Sequence, residues 1–291
     1  MSTGNAYEAL NDAAGDARWA YGTGFADPLA GVDTRLPDGV DGADLGAYCL
    51  MLGDDALVMS HRLQEWVTRA PELEEEVALA NVALDLLGQA RLLLARAGQA
   101  DGSGRGEDDL AFHREPHEFR GVLLAEAENG DFAHTMARLL VFSTWRLALL
   151  DRLRASRDPV LAAVAGKGVN EVAYHRDYAA GWVVRLGDGT ALSRERMAAG
   201  LAAVWPLTGE LFAAHEVETR LVAAGVAVDP AGLREEFGAV LRQVLAAATL
   251  DAPPLPVPGA AAGRSGEHTG ALRDLLAELQ GVARGLPEAT W

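Results

Sequence analysis

From Asp44 onward the apolar residues recur at helical spacing almost without interruption, and this periodicity leaves the chain few architectures. Period-two alternation is scarce, and Ala and Leu outnumber the β-branched residues, so helix is favoured over strand. A first helix is predicted over residues 44–66. Pro71 stands where a first helical residue is often proline, with Glu72, Glu74, Glu75 and Glu76 at the positive end of the helix dipole. That second helix is predicted to stop near Gly98, before a loop over 99–109 and a broken segment over 110–128. Asp131 caps a third helix reaching about Arg154, and Asp158-Pro159 opens a fourth reaching about Leu186. Ser193 is predicted to cap a fifth that Pro206 bends or breaks, and Asp229-Pro230 to open another that ends near Leu250. The fold class is therefore all-α, and four helices of roughly 20 to 28 residues suit a four-helix bundle with additional C-terminal helices. Residues 1–43, rich in Gly, Asp and Ala, read as a flexible N-terminal extension, residues 44–250 as the bundle, and 251–291 as a Pro/Gly-rich arm with a short C-terminal helix.

The charge balance narrows the partners. With 25 basic against 42 acidic residues the net charge is −17, which argues against nucleic acid as a partner. One cysteine, Cys49, excludes an internal disulfide framework and fits a reducing, cytoplasmic compartment; its neighbours Tyr48, Leu50 and Met51 make it a core residue. No signal peptide is expected, and no membrane span, because Asp85, Gln89 and Arg91 interrupt the most apolar run. The glycines of 102–106 lack both the preceding strand and the lysine of a phosphate loop. The acid clusters Asp54-Asp55 and Glu74-Glu75-Glu76 read as solvated faces.

Long helical bundles hold di-iron centres through one acid from each of two helices and a Glu-x-x-His pair from each of the other two. The i, i+3 spacing aims carboxylate and imidazole at one interior point. Three residues before His61, His113, His117, His175, His215 and His268 stand Val58, Leu110, Arg114, Val172, Phe212 and Ser265. Only His134 has an acid there, Asp131, and that pair lies at a helix start, where capping is its role. The frame of a di-iron protein is present without its ligand pattern.

Four segments carry a resemblance: GDDALVMSHRLQEW (53–66), RAPELEEEVALANVALDLLGQAR (69–91), SRDPVLAAVAGKGVNEVAYHRDYAAGWVVRLGDGT (156–190) and the terminal LPEATW. On these the chain resembles the C-subunit family of the bacterial ring-1,2-phenylacetyl-CoA epoxidases, ferritin-like proteins paired with a related catalytic A subunit. In the catalytic relatives the second helix carries Asp-Glu-x-Gly-His; the same stretch here is Asp85-Leu86-Leu87-Gly88-Gln89, so Leu86 and Gln89 stand at ligand positions. Helix four carries Glu-x-x-His there and Val172-Ala173-Tyr174-His175 here. The remaining acids align near Ser143 and Ala56, the latter beside Asp55. The resemblance implies a non-catalytic scaffold that binds no cofactor itself. It implies as partners a di-iron A subunit, a small B subunit, and a reductase carrying flavin and an iron–sulfur cluster and using NADPH.

Alternatives remain at this stage. Asp55, Asp85, Glu171 and His175 are the ligand set of an unorthodox metalloenzyme, and a free-standing helical binding protein is the third possibility. Asn81, Asp85 and Gln89 form a polar stripe at i, i+4, i+8, and a buried Asp85 needs a cation, for which Arg62, Arg91 and Arg138 are candidates. Glu171 and His175 are expected to pair on one face. Trp66, Trp145, Trp182 and Trp205 are read as core or interface anchors, and Trp291 as docking on the body or a partner.

Overall fold

A computed structural model describes Leu29 and residues 31–287, so the greater part of the expected extension and Trp291 lie outside the described residues. Ten α-helices and no strand occur among them: α1 (Gly42–Gln64), α2 (Leu73–Ala100), α3 (Glu107–Phe112), α4 (Leu123–Glu126), α5 (Phe132–Leu153), α6 (Pro159–Gly187), α7 (Ala191–Val204), α8 (Glu216–Ala223), α9 (Arg234–Ala247) and α10 (Gly270–Gly285). The four long helices pair as two hairpins, α1 with α2 and α5 with α6, joined by a crossover containing α3 and α4. Two hairpins with one long crossover is the ferritin-like arrangement. Leu45, Leu52, Met59, Leu79, Leu86, Leu93, Leu140 and Val183 are among the side chains buried between them.

Local chemistry sets most boundaries. Asp41, Asp131 and Asp158 each accept hydrogen bonds from backbone N–H groups of the first turns of α1, α5 and α6. Four details differ from the sequence expectation. Pro71 precedes the helix, which begins at Leu73 behind Glu72, because residues 66–70 are taken up by turns. Gly98 does not stop α2: a Cβ there would run into the Arg105 carbonyl oxygen, so the glycine admits the returning loop and the helix runs on to Ala100. The predicted loop over 99–109 therefore shrinks, and its last residues belong to α3. Thr190, not Ser193, caps α7: its Oγ1 accepts the Ser193 N–H at 3.1 Å. The fifth helix does break at Pro206, as expected: a 3-10 turn (Trp205–Phe212) leads to a separate helix, α8, whose N-cap is His215.

The Pro-rich stretch after Leu250 lies across the body. Pro254 accepts a hydrogen bond from the Trp205 indole, and Leu255 and Pro256 accept from Arg234. By length and composition α2 is the one helix among the described residues able to cross a bilayer, with the charges the sequence reading counted as interruptions included. A bundle's core helix meets the same test, and α2 is packed along α1.

Candidate functional site

The six positions that the resemblance sets against metal ligands all lie in the bundle interior: Ala56, Leu86, Gln89, Ser143, Val172 and His175 are buried. Their chemistry does not suit iron. Three are aliphatic, and the Ser143 hydroxyl is turned back on its own helix, donating to the Leu139 carbonyl at 2.5 Å. One imidazole and one amide remain, so these residues do not fit a di-iron centre, which takes carboxylates and imidazoles together. Among the described residues no group of three or more His, Cys, Asp or Glu side chains is placed to hold a metal ion.

A guanidinium lies among them instead. Arg146, one helical turn after Ser143, is buried; its Nε donates to Gln89 Oε1 at 3.0 Å, and its terminal nitrogens reach the Leu52 carbonyl at 3.3 and 3.4 Å. Gln89 Nε2 in turn donates to Glu171 Oε2 at 3.0 Å, and Lys167 approaches the other carboxylate oxygen at 3.4 Å. Burial, only partly offset by the charge of Asp55, pushes the Arg146 pKa down to about 10, so the group is still a cation at neutral pH. A cation linked through Gln89 to Glu171 thus crosses from α5 to α2 and α6.

The structure corrects the expected partners of the polar stripe. Asp85 is 39% exposed and meets no arginine among the described residues; its Oδ2 lies 3.0 Å from Nε2 of His175, which is 1% exposed. Glu171 bonds to Gln89 rather than to His175. Asn81 is exposed. Arg91 pairs at the surface with Glu107. Arg62 pairs with Glu65 and donates to the Glu126 and Ala271 carbonyls. Arg138 donates to the Ala127 carbonyl and to Asn129, and burial, reinforced by nearby Arg62, pushes its pKa down to about 9. The cation bonded to the polar stripe is Arg146, which is not among the candidates expected from the sequence. Its position three residues after Ser143, on the same helix face, was the available signal.

A second correction concerns Asp54 and Asp55, expected on a solvated face. Both are fully buried. Asp54 takes the guanidinium of Arg114 and the Arg120 N–H, and Asp55 takes the two terminal nitrogens of Arg264 at 2.8 and 2.9 Å and the Val122 N–H at 2.8 Å. The residues at i±3 and i±4 of Asp55 are Met51, Leu52, Val58 and Met59, and that apolar surround was legible. Of the unorthodox ligand set of Asp55, Asp85, Glu171 and His175, only Asp85 and His175 meet; Asp55 is held by Arg264 and Glu171 by Gln89.

Cys49 is buried, and its burial pushes the thiol pKa up, the direction of an inert core cysteine. The aromatics pack as anchors: the Trp145 indole donates to the Leu211 carbonyl, the Trp66 indole to Thr135, and Phe132 lies edge-on to both Trp66 and Trp182.

Comparison with known proteins decides the relationship. The model of the phenylacetic acid catabolic protein family, PaaA_PaaC, matches residues 36–291. The chain belongs to this family. Among curated proteins it is 44% identical over 247 residues to the C subunit of 1,2-phenylacetyl-CoA epoxidase from Escherichia coli (strain K12), covering 85% of this chain and 99% of that protein. The family assignment and the two-hairpin bundle agree, and the matched span includes the interior built around Arg146 and Gln89.

Proposed function

We propose that this chain is a non-catalytic structural subunit of a multicomponent oxygenase that epoxidises the aromatic ring of phenylacetyl-CoA in aerobic phenylacetate catabolism. The observation that carries the reading is the interior itself: a single imidazole at six ligand positions, and an arginine bonded to one of them. Such a scaffold supplies a partner surface rather than chemistry. It pairs with and stabilises a homologous A subunit that holds the di-iron centre. The small B subunit and a reductase with flavin and an iron–sulfur cluster complete the system, fed by NADPH in the cytoplasm. An exposed apolar face supports the pairing: Leu73, Val77 and Leu84 of α2 and Tyr174 of α6 are each more than half exposed.

The test is to express the chain alone and together with its candidate A subunit, then measure iron and complex mass. Iron-free protein alone, and an iron-loaded hetero-oligomer on co-expression, are the expected results. Stoichiometric iron in the isolated chain refutes the scaffold reading. Failure to co-purify refutes the pairing. Leu84→Asp, on the outer face of α2, should reduce co-purification with little change in the Tm of the isolated chain.

A further inference from the structure

The C-terminal helix α10 returns to the crossover through a residue that no function assigned so far uses. His268 stands just before α10, with its side chain buried. Its Nδ1 lies 2.7 Å from Glu126 Oε2, and its Nε2 lies 2.9 Å from the Phe119 carbonyl oxygen. Both partners are acceptors, and a neutral imidazole has one N–H only. With Glu126 ionised, satisfying both contacts requires the imidazolium. The second oxygen of Glu126 accepts the Thr269 N–H at 2.7 Å, so one carboxylate grips the ring and the backbone that opens α10.

We propose that His268 and Glu126 form a proton-dependent clasp that holds the start of α10 on the crossover. The charged and titratable groups around the ring are Glu126 of α4, Asp54 and Arg62 of α1, Arg120 and His117 of the crossover beside Gly266, and exposed Glu267 next in sequence. Arg62 donates to the Glu126 carbonyl and to the Ala271 carbonyl of α10, while Asp54 is engaged by Arg114. Burial alone pushes the His268 pKa down, but the bonds to Glu126 and Phe119 and the charges of Glu126 and Asp54 outweigh it, so the pKa is raised above 6.5. A raised pKa in the folded state means that the clasp is complete below the unfolded value and is lost as pH rises through the folded one.

Deprotonation leaves one nitrogen lone pair facing an acceptor and removes one charge-assisted bond. The rest of α10 is held by Leu272, Leu275 and Leu276, by the Gln280 amide, which donates to the Ala111 and Arg114 carbonyls, and by Arg284, which donates to the Phe112 and Arg114 carbonyls and pairs with Glu115. Loosening is therefore confined to the first turns of α10, because its far end stays tied by Gln280 and Arg284. Two adjoining clefts of about 410 and 260 Å³ use the far end of α10 as a wall, meeting at Asp108, Phe112 and Leu279.

The experiment is amide hydrogen exchange on the full chain between about pH 6 and 9, corrected for intrinsic exchange. Protection of the first turns of α10 should fall by about tenfold as His268 titrates, with α1 and α2 unchanged. His268→Gln should remove the pH step and hold α10 at the wild-type high-pH level. Protection that is flat with pH in the wild type, or an unchanged step in H268Q, overturns the proposal. Should H268Q fail to fold, the imidazole nitrogen shifts of the wild type decide. An imidazolium at the low end of that pH range that deprotonates together with the loss of α10 protection supports the clasp, and a ring that is neutral throughout the range overturns it.

Discussion

Two arginines buried to a similar degree should respond very unequally to the same substitution. Arg264 gives both terminal nitrogens to Asp55 and bonds the Met51 and Arg120 carbonyls at 2.9 Å. Burial opposes its charge, but Asp55, followed by Glu218 and Glu210, more than compensates and raises its pKa. Arg264→Met strands the carboxylate of Asp55, which is 0% exposed and keeps only the Val122 N–H. Breaking a buried pair in this way costs about 3–5 kcal/mol. Arg146 touches no carboxylate, and a pKa lowered from 12.5 to about 10 represents about 3 kcal/mol against its charged form. Arg146→Met removes that penalty, loses the bond to Gln89 at about 1 kcal/mol and the longer bonds to Leu52, and keeps most of the packing volume. Its net effect should stay within about 1 kcal/mol of zero. Urea denaturation measures both, and thermal melts should separate the variants by roughly 10 °C, since 1 kcal/mol moves Tm by about 2–4 °C in chains of this order of size. Equal losses in the two variants would refute the reasoning, because side-chain volume rather than charge pairing would then govern both sites. The double variant Asp55→Leu/Arg264→Met should recover much of the loss.

Gly168 of α6 faces Leu150 and Gln89, and a Cβ there would lie 2.9 Å from Leu150 Cδ1 and 3.3 Å from the Gln89 amide. Gly168→Ala should therefore cost about 1–3 kcal/mol despite the better helix propensity of alanine, read by the urea midpoint. Burial raises the pKa of Glu218 above 4.5 against the opposing pull of Arg264 and the His215 N–H. Its contribution to stability is thus full below pH 4.5 and fades as pH rises through the folded value, so Glu218→Gln should flatten that part of the stability–pH curve while keeping the cap on His215. Asp158→Asn should lower Tm more than Asp131→Asn, because Asp158 both caps α6 and pairs with Arg96 inside the protein, whereas Asp131 caps α5 at the surface.

The long helices were readable because their signals are local. Asp131 and Asp158 cap through N–H groups three residues ahead, and an apolar period of 3.6 survives any tertiary arrangement. Ser193 reads as a cap in the sequence because Thr190, Gly189 and Ser193 all suit a helix start, and only the backbone path selects Thr190. The site was readable as a set of positions and not as a set of contacts. Leu86, Gln89, Val172 and His175 follow from spacing within one helix, but the partner of Gln89 comes from α5 and that of Asp55 from residue 264, 209 residues away. No periodicity encodes a contact of that range. Arginine in an apolar helix face was the usable sign, and Arg146 and Arg138 share it, so pattern alone did not rank them.

A di-iron centre ties four helices together, and metal affinity becomes folding free energy. A bundle of the same plan without the ligand set must fix its helices otherwise, and the position of the buried charges shows how. Asp54–Arg114, Arg96–Asp158, Glu126–His268 and Asp55–Arg264 join segments separated by 60, 62, 142 and 209 residues. Three of the four lie where the crossover and the C-terminal segment meet α1, not along the seam of the four helices. Buried pairs of this kind add little net stability over well-packed apolar residues, but each penalises any register that separates its partners by several kcal/mol. They therefore specify how the crossover and tail wrap the bundle. Along the seam run the Arg146–Gln89–Glu171 link and the Asp85–His175 pair, and the outer faces of α2 and α6 present Leu73, Val77, Leu84 and Tyr174. That distribution, rigid on the wrapped side and apolar on the open one, is what a protein needs in order to offer a fixed surface to another helical subunit.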